Sequence, residues 1–187
     1  MNVFEAILGI RSIREYTAEQ VEAKKVRSLI EAAVMAPTAT HREAWAFTII
    51  QDAALLQRLS DATTLLLNAQ HEHEHDVNRF KAPACNVFYG ANILIVICKN
   101  KNQPMAMSDC WLAAQNVMLA AFAMGLGSCV IESAVLALND QQQKIHFGIT
   151  EGFEAVVPIV VGYASANRVS TKRKRPLILN WFKTKTA

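Results

Sequence analysis

Apolar positions in this chain recur with two different periods, and their interleaving predicts a mixture of helices and strands. Val26, Leu29, Ile30, Ala33 and Val34 fall at i, i+3, i+4, i+7 and i+8, one apolar face of a helix over about Glu22 to Ala36 that Pro37 stops. A short opening helix is predicted over Val3 to Leu8, ending near Gly9. Asp52 is placed to cap a third helix with Leu55, Leu56, Leu59 and Leu66 inward. Strand-length apolar runs occupy Ala46 to Ile50, Asn92 to Cys98, Ser128 to Ile131 and Ala155 to Tyr163. The second of these is nearly continuous, as in a strand buried on both faces. Pro158 in the fourth predicts an edge or a bulge, because proline cannot donate to a ladder.

The most apolar segment runs from Asp109 to Met124, with Ser108 as its expected cap and Gly125 as its stop. It is apolar nearly all round, which predicts a central helix or one at a subunit interface. At roughly 24 Å it is short for a membrane span, and Gln115 and Asn116 interrupt it. Asn139-Asp140-Gln141-Gln142 reads as a capping box opening a helix that ends at Gly148. Residues 68–90 are polar and then irregular, which predicts a loop. Helices and strands do not alternate strictly, so the expected class is α+β and not a doubly wound sheet.

Composition adds scale. The chain has 187 residues, 52% hydrophobic, which excludes a disordered chain. Folding should bury roughly 70% of the unfolded surface, enough for one domain over residues 1–187 without a disulfide or metal staple. The four cysteines, Cys85, Cys98, Cys110 and Cys129, form no CxxC, and three sit in apolar runs as buried thiols do. No secretory leader pattern opens the chain, so a reducing cytoplasm is expected, with no membrane partner. The net charge of +3 is uneven. Seven basic residues lie from Arg168 onward, no Asp or Glu follows Glu154, and the remainder carries 12 basic against 16 acidic residues.

Several local patterns carry candidate chemistry. Gly125-Leu126-Gly127 begins like a dinucleotide fingerprint, but it follows a helix and lacks the third glycine. His71-Glu72-His73-Glu74-His75 could ligate a divalent metal, against the plainer reading of a solvated loop. Lys172-Arg173-Lys174-Arg175 lacks the wide basic field and interleaved aromatics of a nucleic-acid surface, so no nucleic-acid partner is expected. A solvated tail or a phosphate clamp remains. Arg11-Ser12-Ile13-Arg14 offers two guanidinium groups and a hydroxyl within four residues.

Taken together and in order, four segments resemble the FMN-dependent nitroreductase family. Arg11-Ser12-Ile13-Arg14-Glu15-Tyr16 is similar to its RRSxRxF/Y opening. Ala36-Pro37-Thr38-Ala39-Thr40-His41-Arg42-Glu43-Ala44-Trp45-Ala46-Phe47 is similar to APSxxNxQPWxF. Gly125-Leu126-Gly127-Ser128-Cys129-Val130-Ile131-Glu132 is similar to its GLGxCWIG-type stretch, and Val161-Gly162-Tyr163-Ala164 to its LGYP. The chain departs from the pattern at Ile10, His41, Glu43, Ala44 and Val130, which stand where the family has Arg, Asn, Gln, Pro and Trp.

The resemblance implies a nitroreductase-like α+β sandwich, a central mixed or antiparallel sheet flanked by helices, assembled as an intertwined homodimer with FMN at the interface. It implies that Arg11 and one or more of Lys172, Arg173 and Lys174 hold the phosphate. Ser12 would bond the ribityl chain or phosphate, and Arg14 would stabilise charge on the reduced ring. Pro37, Thr38 and Thr40 would border the flavin, Thr40 and His41 the substrate space, and a backbone N–H around Ile131, Glu132 and Ser133 would face flavin N5. The implied activity is two-electron transfer from NAD(P)H through FMN to a small organic acceptor such as a nitroaromatic or a quinone, with ping-pong kinetics. A non-catalytic flavin-binding protein of the same fold, and a metal-binding protein using His71–His75, are the alternatives.

Overall fold

The computed structural model describes residues 1–39, 43–70, 86–165 and 173–182. Its centre is a four-stranded antiparallel sheet, β1 (Trp45–Ile50), β2 (Ile93–Asn100), β3 (Gly127–Val130) and β4 (Phe153–Gly162), in the spatial order β1-β2-β4-β3. Around it lie α1 (Val3–Gly9), α2 (Ala23–Val34), α3 (Ala53–Gln70), α4 (Ala106–Ala123) and α5 (Val135–Asn139), the last preceded by a 3₁₀ turn over Glu132–Ala134.

The sheet divides two cores by the period-2 alternation of its side chains. Ile93, Ile95 and Ile97 of β2, with Val157, Ile159 and Val161 of β4, face α2 and α4. Leu94, Val96 and Cys98, with Val160, face α3 and α5. Both faces of β2 are therefore covered, which is why its sequence is apolar without interruption. This is the α+β class expected from the element pattern, in the sandwich form that the family resemblance implied.

Several local expectations are corrected. Ser108 does not cap α4: the helix begins at Ala106 behind Met105, and Ser108 lies exposed in its first turn. Helix α3 runs on to Gln70, past the expected start of the loop, while 71–85 lie outside the described residues. Among the described residues no regular helix follows Asp140. Its carboxylate accepts from Gln142 N and Gln143 N, but 141–148 form successive turns. Asn139 closes α5, and its amide donates to Ala155 O and accepts from Ala155 N at 2.9 and 2.8 Å. The side chain thus pairs with a strand backbone instead of opening a helix.

Pro158 is not at an edge, since β4 lies between β2 and β3. The β2–β4 register slips beside it: Ile97 pairs with Val157 and Cys98 with Ala155, so Val156 is an extra residue. Pro158 O accepts from Ile131 N at 2.9 Å. In an extended residue N and O point to the same side, so the missing N–H faces the end of β3 and leaves the β2 ladder intact.

Asp52 behaves as expected: its Oδ1 accepts from Leu55 N at 2.8 Å. The opening helix carries a full capping box between Asn2 and Glu5. Cys98, Cys110 and Cys129 are buried free thiols, as their apolar settings predicted.

Burial pushes the Cys98 and Cys110 thiols up from about 9 to about 12. Both should resist thiol reagents at neutral pH, which mass mapping after brief labelling will show. Above pH 9 the unfolded chain loses these protons first. Stability should therefore fall by ~1.4 kcal/mol per pH unit per thiol as pH rises toward 12, measured by urea unfolding against a Cys98→Ser, Cys110→Ser variant.

Candidate functional site

The arginine-rich opening segment leaves α1 at Ile10 and is stitched to the sheet by backbone. Ser12 bridges Ser128 in parallel, and Ile13 N donates to Ser128 O at 3.0 Å. Tyr16 bridges Ala164, Thr17 N donates to Tyr163 O at 2.8 Å, and Ser165 N donates to Glu15 O at 3.1 Å. Two glycines permit this approach. A Cβ at Gly127 would lie 2.8 Å from the Ile13 side chain, and one at Gly162 would lie 2.9 Å from the Tyr16 ring. Gly127 and Gly162 belong to the two glycine motifs singled out in the sequence, and in this chain both allow close packing.

This docking leaves Ser12 and Arg14 exposed beside β3. Beneath them sits Cys129, whose thiol burial pushes up while the Arg14 cation and the Ser12 hydroxyl pull it down. Burial likewise raises the Tyr16 phenol, and its hydroxyl donates to Ile13 O at 2.8 Å. Arg11 turns back to donate to Leu8 O and Ile10 O at 2.8 and 2.6 Å. A cation at the last turn of α1 complements the helix dipole.

From β3 the chain passes through Ile131 into the Glu132–Ala134 turn. The first bond of that turn runs from Ala134 N to Ile131 O, which leaves the N–H groups of Glu132 and Ser133 outside it. Glu132 is exposed and Ser133 half-buried. So Ser12 and Arg14 lie along β3, and Ile131, Glu132 and Ser133 follow directly from it, while Arg11 bonds back to the end of α1.

Pro37 and Thr38 lie elsewhere. Ala39 N donates to the carboxylate of Asp109, in the first turn of α4, at 3.0 Å. Gly9 packs against Phe122 in the last turn of α4, so the opening segment begins at the other end of that helix. Asp109 and Phe122 are 13 residues apart, about 20 Å along the axis. A cavity of about 230 Å³ opens beside Ala39, lined also by Ala44, Gln103, Met105 and Asp109.

Arg173 and Lys174 stand exposed at the start of an extended segment, 173–182. Thr40, His41, Lys172 and His71–His75 lie outside the described residues. Among the described residues no group of three His, Cys, Asp or Glu side chains is placed to hold a metal. No helix among them is long and apolar enough to cross a membrane. Sequence reasoning passed over Asp109, treating it as the start of a helix. Its signal was a carboxylate on the inward face of an otherwise apolar segment.

The fold is an α+β sandwich with the arginine-rich opening segment docked along β3. The nitroreductase family model matches residues 7–163, and the chain belongs to that family. Protein DrgA of Synechocystis is 30% identical over 153 residues, 69% of this chain and 70% of its own. The FMN reductase (NADPH) of Bacillus subtilis is 26% identical over 138 residues, 70% of this chain and 53% of its own. Among solved structures, a nitroreductase with bound FMN from Bacteroides fragilis shares the fold at a TM-score of 0.84 and 24% identity, covering 94% of this chain and 95% of that one.

Replacing Gly127 by Ala should cost about 1–3 kcal/mol, because the Cβ would strike both Ile13 Cβ and Cγ1. Urea unfolding of Gly127→Ala, and of the double variant with Ile13→Ala, will measure it. The double variant should recover part of the Gly127→Ala loss, and simple additivity would mean that Ile13 does not press on Gly127.

Proposed function

We propose that this chain is an FMN-dependent NAD(P)H oxidoreductase of nitroreductase type that works as a homodimer. The observation that carries the reading is the docking of the Ser12–Arg14 segment along β3, the strand that leads into the Glu132–Ala134 turn. An exposed guanidinium, a hydroxyl and backbone N–H groups form a donor set suited to an anionic cofactor whose ring edge accepts hydrogen bonds. When bound, FMN supplies a ring that can accept and return a hydride.

The chain's own residues would hold and polarise that ring. Arg14 would stabilise negative charge at the pyrimidine edge, and the Glu132 N–H would orient N5. Ser12 would bond the ribityl chain or phosphate. Arg11 with Arg173, Lys174 and Lys172 would add cations for the phosphate. NAD(P)H and the acceptor would use one stacking space in turn, which gives ping-pong kinetics. A nitroaromatic or quinone acceptor fits this arrangement, with Thr40 and His41 bordering the space.

The need for a partner follows from separation. Residues expected around one flavin lie at both ends of α4 in one chain. A two-fold copy with its α4 antiparallel would bring the start of one helix beside the end of the other. Apolar exposure supports this. Trp111 and Leu112 of α4 and Phe4 and Leu8 of α1 face outward, and Leu179 and Phe182 of the extended segment are 90% and 89% exposed. Monomeric proteins seldom leave so much large apolar surface uncovered.

Purified protein should show a flavin spectrum that bleaches on anaerobic addition of NAD(P)H and returns on adding menadione. A colourless protein that gains no absorbance with FMN would sink the proposal, and bound flavin that never bleaches would favour a binding role. Arg14→Ala should slow flavin reduction by roughly 10²-fold, the loss typical of one transition-state charge donor, read by stopped-flow absorbance. Sedimentation should give twice 20.7 kDa, and a chain cut before Arg173 should shift toward monomer and lose flavin.

A further inference from the structure

The cavity at the start of α4 has apolar walls and one buried carboxylate. Ala39, Ala44, Met105 and Ala106 line it, with Gln103 and Asp109 as its polar residues. Asp109 is 3% exposed. A carboxylate so far from water is costly unless donors or a cation offset its charge.

The offsets within the chain are partial. Asp109 Oδ1 accepts from Ala39 N at 3.0 Å, and the first turn of α4 is the favourable end of that helix's dipole. An ionised carboxylate has room for about four hydrogen bonds. Among the described residues Ala39 N is the one donor to it, and no cation pairs with it. The charges of Asp109 and Lys99 both act on the Cys110 thiol, so Lys99 is a cation of the same neighbourhood. Its ammonium is engaged by Glu154 at 3.2 Å. The Ala39 bond therefore fixes the carboxylate in the wall of the cavity and leaves its charge uncompensated.

The cavity measures about 230 Å³. That is several times the ~30 Å³ share of one water in the liquid, and below the ~300–1,000 Å³ of pockets for drug-sized ligands. It suits a compact molecule.

We propose that this cavity binds a small organic cation, a primary ammonium on a short apolar body. The ammonium donates to the Asp109 carboxylate in a charge-assisted hydrogen bond, and the body lies against the alanine and methionine walls. Other classes fit less well. An anion would meet like charge with no cation to receive it. A neutral apolar molecule would leave the remaining acceptor sites of the carboxylate unpaired. A divalent metal needs more oxygen ligands than one carboxylate supplies, and among the described residues no group of three His, Cys, Asp or Glu is placed to hold one. The site goes beyond the proposed flavin chemistry and makes no use of it.

The test titrates the full chain, with FMN present, with benzylammonium and with its neutral analogue benzyl alcohol, following backbone amide shifts. Benzylammonium should move the Ala39, Ala106 and Asp109 amides saturably, and bind about tenfold or more tighter than the alcohol, the margin of a charge-assisted over a neutral hydrogen bond. Asp109→Asn keeps an acceptor for Ala39 N and removes the charge, so the two probes should then bind within about threefold of each other. Ala44→Leu fills the cavity and should weaken benzylammonium by about tenfold or more. No saturable shift at these amides would overturn the proposal, as would equal affinity for the two probes, a preference that survives in Asp109→Asn, or native binding in Ala44→Leu. If Asp109→Asn does not fold, preference for the cation in the native protein together with its loss in Ala44→Leu upholds the proposal, and failure of either overturns it.

Discussion

Everything around the proposed cradle depends on how closely the opening segment can approach the sheet. Ile13 lies against Gly127 and Tyr16 against Gly162, at distances no other residue's Cβ would allow. That contact turns two strand ends into a platform and leaves Ser12 and Arg14 on top of it. Hydrogen bonds from Ile13, Thr17 and Ser165 then fix the height of the segment over β3 and β4. Two missing side chains thus place a hydroxyl and a guanidinium.

Helix α4 sets the second constraint. It packs against the sheet and α2 with Cys110, Ala113, Ala114, Val117 and Ala121, and small residues let it lie close. Its length holds the turn after α2 apart from the opening segment. On the proposed reading, complementary halves of one flavin site lie at separate places on each copy. Assembly from two copies is the economical way to unite them, and the uncovered apolar side chains of α1, α4 and 173–182 lie where such an assembly would need them.

Most of the element pattern was legible. The strand over 92–98 is apolar throughout because α-helices cover both its faces, and the helix over 22–36 shows one apolar stripe because only one side of it is buried. The misreadings share a cause. Ser108 and Asn139 were each judged by local propensity, and Pro158 was read as an edge or a bulge, of which the bulge is found two residues away and the edge is not. In the folded chain a strand backbone claims Asn139, the end of β3 makes room for the missing N–H of Pro158, and α4 starts early enough to swallow Ser108. Tertiary partners outbid local preference wherever a polar side chain or an absent donor had a distant backbone to meet.

The candidate site was legible only as types. Periodicity, turn residues and the order of four motifs by themselves determined the α+β class, the buried thiols and the family, because each is a property of neighbours along the chain. Only the tertiary structure decided that the Ser12–Ile13 segment docks on Ser128, that the turn after α2 lies at the other end of α4 from the opening segment, and that Asp109 reaches across seventy positions to Ala39. Those are distances between segments remote in sequence. They arise from how the sheet and α4 pack, which no local pattern encodes.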